Sequence, residues 1–324
     1  MLKANGEAID TLSREIKPAR LSLAMWVVNL VAVVAPVVGL AVVAVSLWGR
    51  GFSWVYLGLL LGMYALTALG ITVGFHRLFS HRAYATNRVL QLFLAVLGSM
   101  AAEGPLLKWV ALHRRHHQYS DQPEDPHSPH QHGQSLAGLL RGLWHAHVGW
   151  VFQADPPGLP HYVKDLRQSR LLRMASALFP LWVAIGLLVP AALGGLLTGT
   201  WTGALFGLLW GGLVRIFLVH HVTWSVNSVC HLWGCRPFRT NDHSRNNFIF
   251  GVLAFGEGWH NNHHAFPTSA RHGLRWWQID MSYWVIRALA LLGLAWKVSL
   301  PARLLLSSAV KSWPPRDRCR AIGQ

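Results

Sequence analysis

Nineteen histidines stand in a chain of 324 residues that is otherwise poor in polar side chains, and they are not scattered. His76 and His81 bracket one short string, His-Arg-Leu-Phe-Ser-His. His113, His116 and His117 form a His-x-x-His-His cluster, and His260, His263 and His264 repeat it. On a helix, positions i, i+3 and i+4 share a face, so each of these clusters can aim three imidazoles at one point. His76 and His81 are five apart and share no face of a regular helix, so a helix end or a bend must bring them together. Eight imidazoles from three segments are too many for one ion and suit two. Imidazole suits iron, zinc, copper or nickel, and the lack of clustered carboxylates argues against calcium or magnesium.

A carboxylate-bridged pair of irons would need two Glu-x-x-His strings on continuous helices, with further Glu residues facing them. Two such strings occur, Glu124-Asp-Pro-His127 and Glu257-Gly-Trp-His260. Prolines interrupt the first, glycines flank the second, and the apolar spans hold no Asp or Glu. The histidine-rich reading is the one that stands. His127, His130, His132, His145, His147, His161, His220, His221, His243 and His272 fall outside the clusters and read as surface, interfacial or supporting residues. Asp125 and Glu257 are placed to orient ligating imidazoles through the other ring nitrogen.

Four apolar stretches must position these clusters. They run over about 21–48, 53–75, 171–197 and 201–222, each long enough to cross a bilayer. They form two hairpins with short outer turns, Gly49-Arg50-Gly51 and Thr198-Gly199-Thr200. The expected fold is an all-α integral membrane protein, one domain over 1–324. Its four spans carry a helical cap made of 76–170 and 223–324. Two further apolar runs, Arg88 to Trp109 and Tyr283 to Lys297, read as helices at the interface.

Composition agrees with this reading. Hydrophobic residues make up 52% and charged residues 13%, about half the share usual for a soluble protein. The net charge of +16 accompanies apolar spans, so the anionic membrane face explains it better than nucleic acid does. The outer turns together hold one basic residue, Arg50, which places both termini and every histidine cluster on the cytoplasmic side. Three cysteines without a CxxC offer no thiolate cluster for a metal. The first 20 residues are polar, and the apolar run after them is too long for a signal core, so no removable signal peptide is expected.

The strings HRLFSH, HRRHH and HNNHH, in this order and between two hairpins, resemble the three histidine boxes of integral-membrane fatty acid desaturases. GFHRLFSHRAY, EDPHSP, HVGW, RPF and GEGWHNNHHAFP are most similar to the stearoyl-CoA (delta-9) branch. The resemblance covers about Gly74 to Phe266. It implies two iron ions on His76, His81, His113, His116, His117, His260, His263 and His264. It adds His231 as a ninth ligand and Asn227 as holder of a metal-bound water. It also implies an acyl tunnel bent at Thr223 and Trp224, with Trp109 beside it and Arg215 near the substrate headgroup. One departure stands out: Ala111 and Leu112 occupy positions where CoA-dependent animal members carry an Arg-Asp pair, which leaves acyl-lipid or acyl carrier protein open as carrier.

The implied reaction is dioxygen-dependent insertion of a cis double bond into a long acyl chain, at the delta-9 position. Zinc binds the same imidazoles readily and can replace iron in a preparation. No flavin, nicotinamide, iron–sulfur or haem signature occurs within these residues, so electrons are expected from an external, acidic donor such as a ferredoxin or a cytochrome. A hydroxylase of lipid or carotenoid with the same boxes is the nearest alternative. A membrane metal transporter is remote, because it would place ionisable residues through the spans, and the first two have none.

Overall fold

A computed structural model describes residues 21–47, 52–133 and 135–301. The turn at Gly49-Arg50-Gly51 and the two terminal segments lie outside the described residues. Four helices are long and apolar enough to cross a membrane: α1 (Leu23–Leu47), α2 (Trp54–Ser80), then, after the cap helices, two more that close the second hairpin (Phe179–Thr198 and Trp201–His231). Between the hairpins lie α3 (Arg88–Met100), α4 (Leu106–Tyr119), α5 (Leu136–His147) and α6 (Arg170–Ala177). The third and fourth spans are α7 and α8. After them come α9 (Phe248–Leu253), α10 (His260–Ala265) and α11 (Met281–Leu291). A two-residue strand, β1 (Ala85–Thr86), pairs antiparallel with β2 (Ala295–Trp296) and ties the end of the described chain to the exit of α2.

Local chemistry sets the boundaries. Ser53, Asn87, Ser135 and Thr200 each cap a helix by accepting a backbone N–H from its first turn. The apolar run that begins near Leu171 is not one helix. Ala177 ends α6, and α7 restarts at Phe179 with Pro180 in its first turn, where a missing N–H costs nothing. Gly199 closes α7 in the left-handed conformation at φ 66°.

The four spans divide by burial. Only 17% of the residues of the most apolar stretch of α1 and of α7 are buried, against 50% in α2 and 56% in α8. The outer pair therefore presents apolar side chains outward, and α2 and α8 form the inside pair that runs on into the cap. Both inner helices widen to π geometry on the way, α2 over Gly70–Ser80 and α8 over Leu208–Val214. The largest core cluster gathers Ile71, Phe75 and Phe79 of α2 with Leu94, Leu106, Val110, Val219 and Ile286 from four other elements. It packs under the histidines and holds the ends of α2, α4 and α8 in register.

Candidate metal centre and acyl cavity

The π geometry of α2 answers the five-residue spacing. In a π-helix the backbone bond runs from i to i+5, and the N–H of His81 donates to the carbonyl of His76 at 3.1 Å. The two rings stand edge to face with centroids 4.8 Å apart. No bend is required, because the widened turn puts positions five apart side by side.

All nine candidate imidazoles meet, in two groups. His76, His81, His113, His117 and His263 form one, and His116, His231, His260 and His264 the other, with one nitrogen from every member within 4.8 Å of the rest of its group. Each His-x-x-His-His cluster is therefore split: α4 gives His113 and His117 to one group and His116 to the other. From α10, His263 joins the first and His260 and His264 the second.

The Nε2 atoms face inward. His76 to His263 is 3.1 Å, His81 to His113 2.8 Å, His117 to His263 2.9 Å and His231 to His260 3.0 Å. Among the described residues, the Nε2 of His116 and of His264 are buried without a hydrogen-bond partner. Burial, reinforced by neighbouring imidazoles, drives His81, His113, His117, His260 and His263 well below the ordinary histidine range, which is the neutral, lone-pair form that a metal needs.

On the far side of four rings stands a carboxylate. The Nδ1 of His76 lies 2.6 Å from Glu257, that of His116 3.0 Å from Asp125, that of His231 2.8 Å from Asp121 and that of His264 2.7 Å from Asp242. A carboxylate at Nδ1 fixes the proton there and leaves Nε2 as a bare lone pair. Lone pairs about 3 Å apart repel unless a cation sits between them. Two nitrogens each about 2.1 Å from one ion and at right angles to each other stand about 3.0 Å apart. The donor set thus fits two imidazole-bound transition-metal ions. Asp125 and Glu257 occupy the places expected of them. Asp121 and Asp242 were not legible, because each reaches its histidine from a loop whose path the local sequence does not reveal.

An apolar cavity opens beside the histidines. His76, His113, His260, Glu257 and Asn227 line it together with Tyr64, Ala68, Val219, Val222, Thr223 and Val226. Trp109 lines it too, stacked on His113 with centroids 5.2 Å apart, and its indole N–H donates to Glu103 Oε2 at 3.0 Å. Thr223 also hydrogen-bonds Glu103. Glu103 was missed in the sequence: a carboxyl next to Gly104 and Pro105 looks like loop, yet it clamps both walls. Burial pushes its pKa up to about 7, against the pull of those two hydrogen bonds.

Two expected substrate contacts are not at the cavity. Trp224 is buried against His220, ring centroids 4.7 Å apart, and is absent from the cavity wall. Neighbours on a helix point about 100° apart, so Thr223 and Trp224 do not both face the same space. Arg215 is fully buried and donates to the carbonyls of Gly211, Met100 and Gly186 at 3.2, 2.6 and 2.9 Å. Its guanidinium joins α8 to α3 and α7 through these carbonyls, and it is not among the residues that line the cavity.

A family profile described as fatty acid desaturase matches residues 52–298, three-quarters of the chain. The chain belongs to the fatty acid desaturase family. The desaturase is 42% identical over 313 residues to the hex-5-enoyl-[acyl-carrier protein] acetylenase of Moorena producens (strain JHB), covering 93% of this chain and 98% of that one. It is 38% identical over 261 residues to the sn-1 stearoyl-lipid 9-desaturase of Synechocystis sp. (strain ATCC 27184 / PCC 6803 / Kazusa), covering 79% and 76%. Over 259 residues it is 39% identical to the icosanoyl-CoA 5-desaturase of Limnanthes douglasii, covering 77% and 67%. The protein is thus an oxidoreductase of acyl chains, with membrane-spanning helices and a histidine cluster able to hold metal.

Proposed function

We propose that the desaturase uses two iron ions, dioxygen, two external electrons and two protons to convert a CH2–CH2 pair of an acyl chain into a cis CH=CH, releasing two waters. The observation that carries this reading is the meeting of nine inward-facing imidazoles, three of which line an apolar cavity. The first iron would take His76, His81, His113, His117 and His263. The second would take His116, His231, His260 and His264, with Asn227 near enough to the cavity end to hold a bound water. When bound, the irons supply dioxygen activation and the removal of hydrogen from an unactivated carbon, which no side chain here can do.

The residues of the chain supply position and dryness. Trp109 on His113, and the Glu103 bridge from Trp109 to Thr223, set the cavity wall beside the first metal and orient the methylenes that react. The carboxylates at Nδ1 keep each ring in one tautomer while charge builds on it. Both termini and the cap would face the cytoplasm, where the net positive charge suits an acidic electron donor such as a ferredoxin or a cytochrome.

Delta-9 action on a long chain is the reading that the motif strings favour, and the stearoyl-lipid relative supports it. A second reading has its own observation. The relative that aligns along almost its entire length acts on a six-carbon, already unsaturated chain carried by a protein. Carriers among the relatives are protein, lipid and CoA, and Ala111 and Leu112 weigh against CoA.

The deciding experiment expresses the protein, with a working electron donor, in a host lacking unsaturated fatty acids and analyses its acyl chains by chromatography and mass. Loss of two hydrogens from an acyl chain is expected. A gain of one oxygen instead would mean hydroxylation, and no new product at all would sink the proposal.

A further inference from the structure

One side of α5 is apolar and faces outward. Leu136, Leu140 and Trp144, each four residues after the last, expose their side chains, with Leu139 beside them. The helix lies at the ends of two spans. The segment just after it meets the cap end of α1, where the side-chain amide of Asn29 donates to the carbonyl of Val151 at 2.7 Å and the rings of Trp26 and Phe152 stand 5.8 Å apart. The last residue of α5, His147, reaches His221 on α8 with ring nitrogens 2.9 Å apart. An exposed apolar stripe in that position belongs in the membrane interface.

Beside the stripe is a pocket that shares no residue with the histidine groups or the acyl cavity. Leu140, Arg141, Trp144 and His145 line it, joined by His132 and Gln153. Two glycines build it. A Cβ on Gly138 would collide with the carbonyl of His132, and one on Gly142 with that of Pro129, so α5 rests directly on the backbone of the loop before it. That contact sets the ring of His132 beside His145, centroids 5.6 Å apart. His145 is buried, and the Gln153 side-chain amide donates to its Nδ1 at 3.3 Å, which leaves one amide hydrogen of Gln153 for another acceptor. Arg141 is exposed, and its guanidinium has no hydrogen bond or ion pair among the described residues. No Asp or Glu lines the pocket. The aspartates nearest in sequence are engaged elsewhere, Asp155 with Lys108 at 2.7 Å and Asp125 with His116 at 3.0 Å.

We infer that this pocket binds the phosphodiester headgroup of a membrane lipid, with Arg141, His132 and Gln153 on the phosphate oxygens and the lipid chains along Leu140 and Trp144. A planar guanidinium without a partner, in a pocket without an acid, matches an anion that offers several acceptor oxygens. These donors would suit any phosphate. The apolar stripe that continues from them, at the level where two spans end, assigns the phosphate to a lipid. A lipid held there would fasten the cap to the membrane face through α5, whatever acyl chain the enzyme desaturates.

The test uses the full chain, metal-loaded, in a neutral detergent and stripped of co-purified lipid. Phosphatidylglycerol in the micelles, sn-glycerol 3-phosphate and inorganic phosphate are compared by the rise in unfolding temperature that each produces. Phosphatidylglycerol should stabilise the wild type, and the two soluble phosphates at equal concentration should not. Arg141→Gln should raise the phosphatidylglycerol needed for half of that rise by about 10-fold, and adding His132→Gln should raise it further. Arg275→Gln, which removes an exposed arginine elsewhere in the cap, should leave it unchanged. All three side chains are exposed, so the variants should fold as the wild type does. Native mass spectrometry of gently purified protein should find one phospholipid fewer on the double variant. Equal stabilisation of wild type and double variant by phosphatidylglycerol would overturn the site. Soluble phosphates acting as strongly as the lipid would overturn the lipid assignment. Displacement of the lipid by a saturating acyl-pantetheine thioester would also overturn it, by making the pocket part of the substrate path.

Discussion

Glu103 shows how one buried carboxyl couples a wall to pH. Its Oε2 takes the Trp109 indole N–H, and its Oε1 is buried with no partner among the described residues. Burial raises its pKa from 4.5 to about 7. A folded-state pKa above the unfolded one means that the proton favours the native state. The stability this group contributes is complete below about pH 4.5 and is lost as pH rises through 7. Glu103→Gln keeps the acceptor for Trp109 and removes the ionisation. The variant should match the wild type in thermal unfolding near pH 4.5 and exceed it near pH 8.5. An equal gap at both values would contradict the assignment. Residue types and clustering alone made eight of the imidazoles legible, six of them through the three-and-four spacing that any helix turns to one face, while His231 was legible only through the resemblance. Asp121, Asp242 and Glu103 were not, since a carboxylate that reaches its partner through a loop leaves no periodic trace.

At the scale of elements, the widened end of α2 depends on its neighbour's close approach. A Cβ on Gly70 would fall 2.2 Å from the backbone nitrogen of Gly98 and 2.4 Å from the carbonyl carbon of Leu97 on α3. Backbone cannot swing aside as a side-chain tip can. Gly70→Ala should therefore push α3 off α2 just where the π segment starts, destabilising the protein by about 1–3 kcal/mol. It should also blunt metal retention, since His76 sits on that segment and His81 caps it. Gly58, on the same helix, has nothing within 4 Å of its Cβ position, so Gly58→Ala should leave thermal stability and metal content unchanged. The hydropathy pattern announced α2 as a span but not its pitch, because i→i+4 and i→i+5 winding bury nearly the same apolar run. Arg215 makes the same point: an arginine within a span reads as a ligand contact or an anchor, and two of its three carbonyl partners, Met100 and Gly186, lie on segments distant in sequence.

For the whole molecule, the candidate centre joins α2, α4, α8 and α10, and thus ties the inner spans to the cap. Without a cation, inward lone pairs about 3 Å apart oppose one another. Bound metal therefore stabilises the fold by mass action, by about 2.7 kcal/mol at a concentration a hundred times its Kd. Stripping metal with a chelator should lower the unfolding temperature and open the cap to proteolysis, while the apolar span helices persist in circular dichroism. Restoring iron should reverse both changes. An unchanged unfolding temperature in protein shown to be metal-free would argue against ions at the nine histidines.

By itself the sequence determined that the protein has four apolar spans, that nine imidazoles flank them and that a family of membrane oxidoreductases shares this layout. Those features are written in one-dimensional patterns, apolar run length and helical spacing, that hold whatever the chain packs against. Only the tertiary structure decided that each His-x-x-His-His cluster contributes to both histidine groups, that Asp121 and Asp242 back the second group, and that Trp224 and Arg215 are absent from the cavity wall. Each of these depends on which distant segment a side chain meets, and that is settled by three-dimensional packing around α2 and α8.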